Sequence, residues 1–219
     1  MKTLKLNIYQ KDLLIGTLLG DGNLKSETKG RTWCYRALHK EVHKEYLFFK
    51  YDLLNVICKS SPSFSFIFDK RTKKYYKWYY FNTIVHPCFN FYGNLFYTYD
   101  KKNKCMFKDV PSNIEKFLTP RAIAFWYMDD GALKWLGKSN AMRICTESFS
   151  KLGVERLQKA LKTLYDIDMN LMRKTNKGIF VGYRLSINEE NSLKFSELIK
   201  PYLIDCMRYK VSNGLKGHL

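Results

Sequence analysis

The sequence predicts an α+β protein made of two pseudo-symmetric copies of one αββαββα unit, and three observations carry that prediction. The order helix, two strands, helix, two strands, helix can be read twice along the 219 residues. Two apolar helical segments, one per copy, close in an acid and a glycine, at Asp21-Gly22 and at Asp130-Gly131. The basic excess is shared between the copies: residues 1–110 carry 20 basic and 9 acidic side chains, residues 111–219 carry 18 and 11. An internal duplication is the economical account. It places a first repeat at 1–105, a linker at 106–118 and a second repeat at 119–219.

The elements follow from periodicity. In the first copy a helix runs from about Ile8 to Gly20, and Lys25–Thr28 and Thr32–Leu38 are strands around Lys29-Gly30. A second helix, Val42–Cys58, carries Val42, Tyr46, Phe49, Leu53 and Val56 at helical spacing. Ser63–Asp69 and Tyr75–Val85 form a hairpin around the charged turn at 70–74, and Pro87 opens a helix that reaches about Tyr99. In the second copy Thr119-Pro120 supplies an N-cap and a first-turn proline for the helix ending at Asp130-Gly131. Strands at Ala132–Leu136 and Ala141–Thr146 come next. The helix Ser150–Tyr165 has the stripe Leu152, Val154, Leu157, Leu161 and Leu164. Met169–Lys174 and Ile179–Ile187 form a hairpin in which Ile179, Val181, Tyr183, Leu185 and Ile187 share one face. The last helix spans Glu189–Tyr202.

Composition narrows the function. With 38 Lys+Arg against 20 Asp+Glu the net charge is +18, which repels itself unless a polyanion is the usual partner, so nucleic acid comes first. A hydrophobic content of 46% excludes a disordered chain, and the apolar run Leu13–Leu19 is too short to span a membrane. Six scattered cysteines without a CxxC pair exclude a zinc ribbon and point to a reduced, intracellular setting. The N-terminus has neither signal-peptide nor transit-peptide character. His39 and His43, four apart, could share a helix face as metal ligands, but no third ligand follows at a useful spacing.

The Asp-Gly endings concentrate the chemistry. Leu14 to Gly22 aligns with Ile123 to Gly131, and each glycine suits a C-cap position that needs positive φ. The acid does not suit its place: a carboxylate at a helix C-terminus faces unpaired carbonyls, at a cost of about 0.3–1 kcal/mol. A divalent cation reverses that sign, because carboxylate and carbonyl oxygens are the ligands Mg²⁺ accepts. One such ending alone reads better as a turn signal, whereas a second at the equivalent point weakens that reading. Gly16 and Gly20, four apart, allow close approach of a partner helix. Packed together, the two helices bring Asp21 and Asp130 side by side beneath a positive surface, an arrangement suited to phosphodiester chemistry.

These segments resemble the paired motifs of the LAGLIDADG homing endonucleases, in the branch where one chain carries both copies. The match is best at the last two motif positions. It departs at Phe125 and Asp129, where the family pattern has small residues, and at Leu19, where it often has an acid. The resemblance covers nearly the whole chain. It implies a monomer with a saddle of two antiparallel sheets on double-stranded DNA, the paired motif helices at the interface, and a double-strand break that promotes intron homing. It also implies Mg²⁺, with Mn²⁺ as a substitute, held by Asp21 and Asp130 with the backbone carbonyls of Gly20 and Asp129. A basic residue near each metal is implied as well, for which Lys108 and Lys210 stand at comparable distances after the two acids.

Sequence readout falls to the hairpin strands. The candidates are Lys25, Arg31, Arg36, Lys70, Arg71, Lys73 and Lys77 in the first half and Lys134, Lys138, Arg143, Arg173, Lys174 and Arg184 in the second. The alternative within the same resemblance is an intron RNA maturase, and the two intact acids favour the nuclease. Abundant Lys, Asn, Tyr, Phe and Ile suggest an AT-rich organelle genome, in a mitochondrion or chloroplast.

Overall fold

The computed structural model describes residues 4–135 and 138–211. Among the described residues six α-helices and ten strands follow the order read twice from the sequence, with one addition. The first half contains α1 (Ile8–Leu19), β1 (Asn23–Lys25), β2 (Cys34–Lys40), α2 (Lys44–Leu54), β3 (Ser63–Asp69), β4 (Lys74–Asn82) and α3 (Asn90–Phe96). A short hairpin, β5 (Tyr97–Asp100) and β6 (Cys105–Lys108), follows. The second half contains α4 (Pro120–Asp130), β7 (Gly131–Leu133), β8 (Met142–Ile144), α5 (Lys151–Tyr165), β9 (Asn170–Asn176), β10 (Ile179–Ile187) and α6 (Glu189–Ile199). The two four-stranded antiparallel sheets have matching orders, β1-β2-β4-β3 and β7-β8-β10-β9.

Local chemistry starts the helices where expected. Asn7 and Gln10 form a reciprocal capping box on α1, Thr119 caps α4 with Pro120 in its first turn, and Ser150 and Asn188 cap α5 and α6. Each cap satisfies amides that the helix leaves unpaired. α2 covers one face of the first sheet and α5 one face of the second, while α1 and α4 pack against each other at the centre. One apolar core runs through both halves and includes Leu13, Leu14 and Leu18 of α1 and Ile123, Trp126 and Tyr127 of α4, all fully buried. Each such side chain contributes about 1.5–3 kcal/mol.

The structure corrects several sequence expectations. The helix expected to reach Tyr99 stops at Phe96, and Tyr97-Thr98-Tyr99 pairs with Met106–Lys108 instead; β-branched and aromatic side chains favour that extended run. The Tyr97 hydroxyl accepts the Leu24 amide (2.9 Å), which ties this hairpin to β1. The buried stripe of α2 is Tyr46, Leu47, Lys50 and Leu54, whereas Val42 and Val56 are exposed. On α5, Leu152 and Leu164 are exposed and Ala160 takes part in the core. A bulge between Phe180 and Gly182 shifts the register of β10, so Ile179 and Val181 leave the face that Leu185 and Ile187 keep. β1 and β7 begin within three residues of the motif acids, earlier than expected. The proposed end of β7 at Leu136 lies outside the described residues. The final helix gives way at Ile199 to helical turns at Lys200–Tyr202 and Asp205–Lys210.

Candidate active site

α1 and α4 approach closely because glycine on one helix faces bulk on the other. A Cβ on Gly16 would lie 2.2 Å from the Ala122 carbonyl oxygen and 2.5 Å from the Phe125 Cβ; on Gly20 it would lie 2.4 Å from the Asp129 Cβ. In the motif alignment Phe125 is the counterpart of Gly16, and Asp129 that of Gly20. Neither motif-closing glycine needs positive φ, contrary to expectation: Gly131 is extended (φ −81°, ψ 151°), and Gly22 is absent from the positive-φ residues. Close approach selects them instead. A Cβ on Gly131 would meet the Tyr127 ring at 2.1 Å and one on Gly22 would meet Thr17 at 2.8 Å.

The packing brings three carboxylates to one end of the helix pair. Asp21 is half exposed, at 49% of its side chain, and Asp129 is fully buried. Burial first, then the neighbouring charges of Asp21 and Asp129, push the Asp130 carboxyl up to about 8. Burial likewise raises Asp129, to about 6, against the lowering effect of Lys50. Ionised acids gathered here therefore repel one another in a poorly solvated place.

Each helix end has its own lysine. Lys108, at the end of β6, donates from Nζ to the carbonyls of Gly20 and Gly22, both at 3.2 Å. Lys210, in the turn at Asp205–Lys210, donates to Met128 (2.5 Å) and Asp129 (3.0 Å). Both ammonium groups thus meet the negative end of a helix, where a cation is favoured. Burial lowers both lysine pKa values while the three acids oppose that shift. The main chain of Lys210 is tied to α4 by the Tyr127 hydroxyl, which donates to its carbonyl (2.8 Å).

The arrangement fits a hard divalent cation. Asp21 and Asp130 supply carboxylate oxygens, and the carbonyls of Gly20 and Asp129 keep a second lone pair beyond the lysine contacts. The mutual repulsion that raises Asp130 is what such a charge would relieve. Asp129 itself reaches further than its carbonyl: its side chain, with those of Asp21 and His39, presents ligand-type atoms within 4.8 Å of one another. His39 lies on β2, away from the shared helix face considered for it with His43. Lys50 Nζ stands among these groups, 2.6 Å from Asp129 Oδ1 and 2.8 Å from His39 Nε2. No sequence signal marked Lys50, and His39 was marked only for a pairing with His43, since the partners seen here come from other elements and include Asp129 of the other half of the chain.

Strand alternation sorts the candidate DNA contacts. The sheet face turned away from α2 carries Arg36, Lys40, Trp78, Tyr80 and Asn82, by the pairing Arg36↔Asn82 and Lys40↔Trp78. A groove of about 580 Å³ on that face, lined in part by Arg36, Leu38, Ile67 and Tyr80, reaches Asp21. Lys25 lies on the same side of β1 as Asn23, Arg31 in the following loop, and Lys70, Arg71 and Lys73 at the β3–β4 turn. In the second half Arg143, Lys174 and Arg184 share the open face, and Lys134 and Lys138 lie between β7 and β8. Arg184 is already paired with Glu147. Two candidates face the other way. Lys77 sits on the α2 side of its strand, paired with Glu41 (3.0 Å) over Phe64, and Arg173 lies across from Tyr183 on the α5 side, over Phe180. The period of two in Tyr76, Trp78 and Tyr80, by contrast, was a readable signal for aromatic contacts.

The model of the LAGLIDADG DNA endonuclease family matches residues 11–195. The chain belongs to that family. The DNA endonuclease I-ChuI of Chlamydomonas applanata is 55% identical over 218 residues, covering 99% of this chain and all of that protein. The solved homing endonuclease I-WcaI, bound to its DNA recognition sequence, superposes with a TM-score of 0.84 at 23% identity, over 97% of this chain and 89% of that one. I-DmoI, solved in complex with DNA and Mn, gives 0.52 at 17% identity, over 90% and 98%. These two likenesses fix the fold that the family shares, two antiparallel sheets beside one central helix pair. Among the described residues no helix is long and apolar enough to cross a membrane.

Proposed function

We propose that this chain is a monomeric, site-specific DNA endonuclease that hydrolyses both strands of a long double-stranded target, with Asp21 and Asp130 as its metal-holding acids. The observation that carries this reading is the pair of acids at the ends of two packed helices, each end backed by its own lysine, at the edge of a basic open sheet face. Family membership and the near full-length likeness to a DNA endonuclease support it. Mg²⁺ is the cofactor this reading favours, with Mn²⁺ able to replace it, since the acids and carbonyls of the two helix ends offer oxygen donors. When bound, the divalent ion supplies a Lewis acid that activates water and offsets charge on the departing 3′ oxygen.

The remaining work falls to the chain. Asp21 and Asp130 would hold the divalent metal, with one scissile phosphate of each strand lying near the two acids. Water adds to each phosphorus in line, the bond to the 3′ oxygen breaks, and that oxygen leaves as a hydroxyl. Lys108 and Lys210, anchored on helix-end carbonyls, stabilise the negative charge that develops on the phosphate. The open sheet faces select the target through base edges and hold it through phosphates. Both acids are retained here, which favours the nuclease over a splicing-only maturase. An organellar gene, expressed where it is encoded, and intron homing complete the reading.

Selection of cleaved sequences from a randomised DNA library with Mg²⁺ tests activity and reads the site together. Recovery of one long sequence by the wild type, with at least about 10³-fold less cleavage by Asp21→Asn or Asp130→Asn and binding retained, is the expected result. Full double-strand cleavage by either variant overturns the assignment.

A further inference from the structure

The two half-sites are held differently, and the difference lies in one buried ion pair. α4 is helical through Asp130, so the Asp130 amide belongs to the helix's own hydrogen bonds. α1 ends two positions earlier in the alignment, at Leu19, and Gly20 leaves the helical region (φ −112°, ψ −135°). The Asp21 amide is satisfied from outside the helix, by Asp129 Oδ2 at 3.0 Å. The other oxygen of that carboxylate accepts from Lys50 at 2.6 Å, and neither side chain has measurable exposure. Lys50 is fixed in turn by His39 Nε2 (2.8 Å) and lies 4.1 Å from the Tyr46 ring centroid. Gly20, the counterpart of Asp129, has no side chain with which to return the contact.

We propose that Asp129, oriented by Lys50, is a positioning residue that fixes Asp21, and that the two strands are cleaved by half-sites unequal by construction. This rests on the reading of Asp21 and Asp130 as the working acids. A buried ion pair that served stability alone would be replaceable by neutral side chains of similar shape. Here one carboxylate oxygen is spent on a backbone amide next to the catalytic acid, a contact that a well-packed apolar pair cannot make. A displacement of Asp21 by about 1 Å is enough to cost up to 10²-fold in rate.

Two double variants separate positioning from stability. Both carry Lys50→Met, so that no charge is left buried alone. The first adds Asp129→Asn, which keeps an oxygen for the Asp21 amide, and the second adds Asp129→Ala, which removes it. Two readouts apply to each. One is hydrogen exchange of the Asp21 amide in EDTA, which needs neither metal nor DNA. The other is the ratio of the two strand-cleavage rates, measured on a duplex labelled on each strand, with melting in EDTA to set a temperature at which both variants are folded. The expected result is a protected amide and a near wild-type strand ratio for the Asn variant. For the Ala variant the amide exchanges faster and the strand ratio shifts about tenfold or more. Equal exchange in the two variants, or equal slowing of both strands, overturns the proposal. Wild-type cleavage by Asp21→Asn would instead overturn the underlying reading, and the exchange measurement would still decide whether Asp129 holds Asp21.

Discussion

α1 and α4 descend from one motif, yet they solve the problem of meeting at a pseudo-two-fold axis in opposite ways. Where a residue faces its own counterpart, two large side chains cannot both fit. In a symmetric pair the answer is two small residues. In this chain one helix keeps glycine and the other fills the space, Gly16 against Phe125 and Gly20 against Asp129. The trade has chemical consequences. The glycine-bearing helix frays before its acid and leaves Asp21 half exposed, whereas α4 continues through Asp130 and leaves it partly covered. A duplicated chain can diverge in this way because its two copies mutate separately.

Substitutions at the contact give the largest expected effects and test whether the bulk is needed on one side only. Phe125→Ala should destabilise the protein by about 3–5 kcal/mol, since the ring is buried and Gly16 cannot grow to fill the cavity. Gly16→Ala should cost about 1–3 kcal/mol through overpacking against the Ala122 carbonyl. The two together should not compensate, because the added methyl meets backbone as well as the position of the lost ring. Urea unfolding of the three proteins checks this. Mutual rescue by the pair would show that the helices slide freely and that the observed spacing is not imposed by the glycine.

The acids differ in electrostatic cost, and pH exposes the difference. Folding without metal raises Asp130 from 3.8 to about 8, so the folded state favours its protonated form. The corresponding stability is fully present below the unfolded pKa and is lost as pH rises through about 8. In EDTA, Asp130→Asn should therefore melt above the wild type at pH 8.5, with an advantage that fades towards pH 4. Addition of Mg²⁺ to the wild type should narrow the gap at high pH. Melting curves that differ by the same amount at both pH values would show that Asp130 is not held in a costly charged state.

What the sequence made legible was the pattern carried by single segments. The cap at Thr119, the hairpin Ser63–Asp69 with its partner strand and the repeat of Asp21 at Asp130 all rest on local rules of spacing and turn chemistry. The buried stripe of α2 was misread because a lysine looked like a solvent residue. Lys50 is core only because Asp129, 79 positions away, is there to receive it. Lys77 and Arg173 lie on the helix-side faces for a reason the sequence hid in a related way. Basic side chains on a strand of a basic protein suggested DNA contact, but the pairing partner decides the face. The hairpin Tyr97–Lys108 was hidden beneath a run of lysines that resembled a linker, although it places Lys108 on the Gly20 carbonyl.

The smallest expected effects compare the two faces of each sheet and bear on how the target is read. Arg36 and Arg143 lie on the open faces, where a guanidinium can pair bidentately with a guanine edge. Truncating either to Ala should weaken target binding by about 1–3 kcal/mol and relax preference at one or two base pairs. Lys77→Ala and Arg173→Ala should change binding by less than about 0.5 kcal/mol, since both cations lie on helix-side faces and Lys77 is occupied by Glu41. Removing Lys70 or Lys73 at the exposed turn should act differently again, lowering affinity for all sequences alike and reducing the slope of affinity against salt by about one. Titrations of the six variants against target and scrambled duplexes, at several salt concentrations, separate these outcomes. Equal losses on both faces would mean that the charge acts as a diffuse field around the sheets, and that strand alternation carries no information about which residues touch DNA.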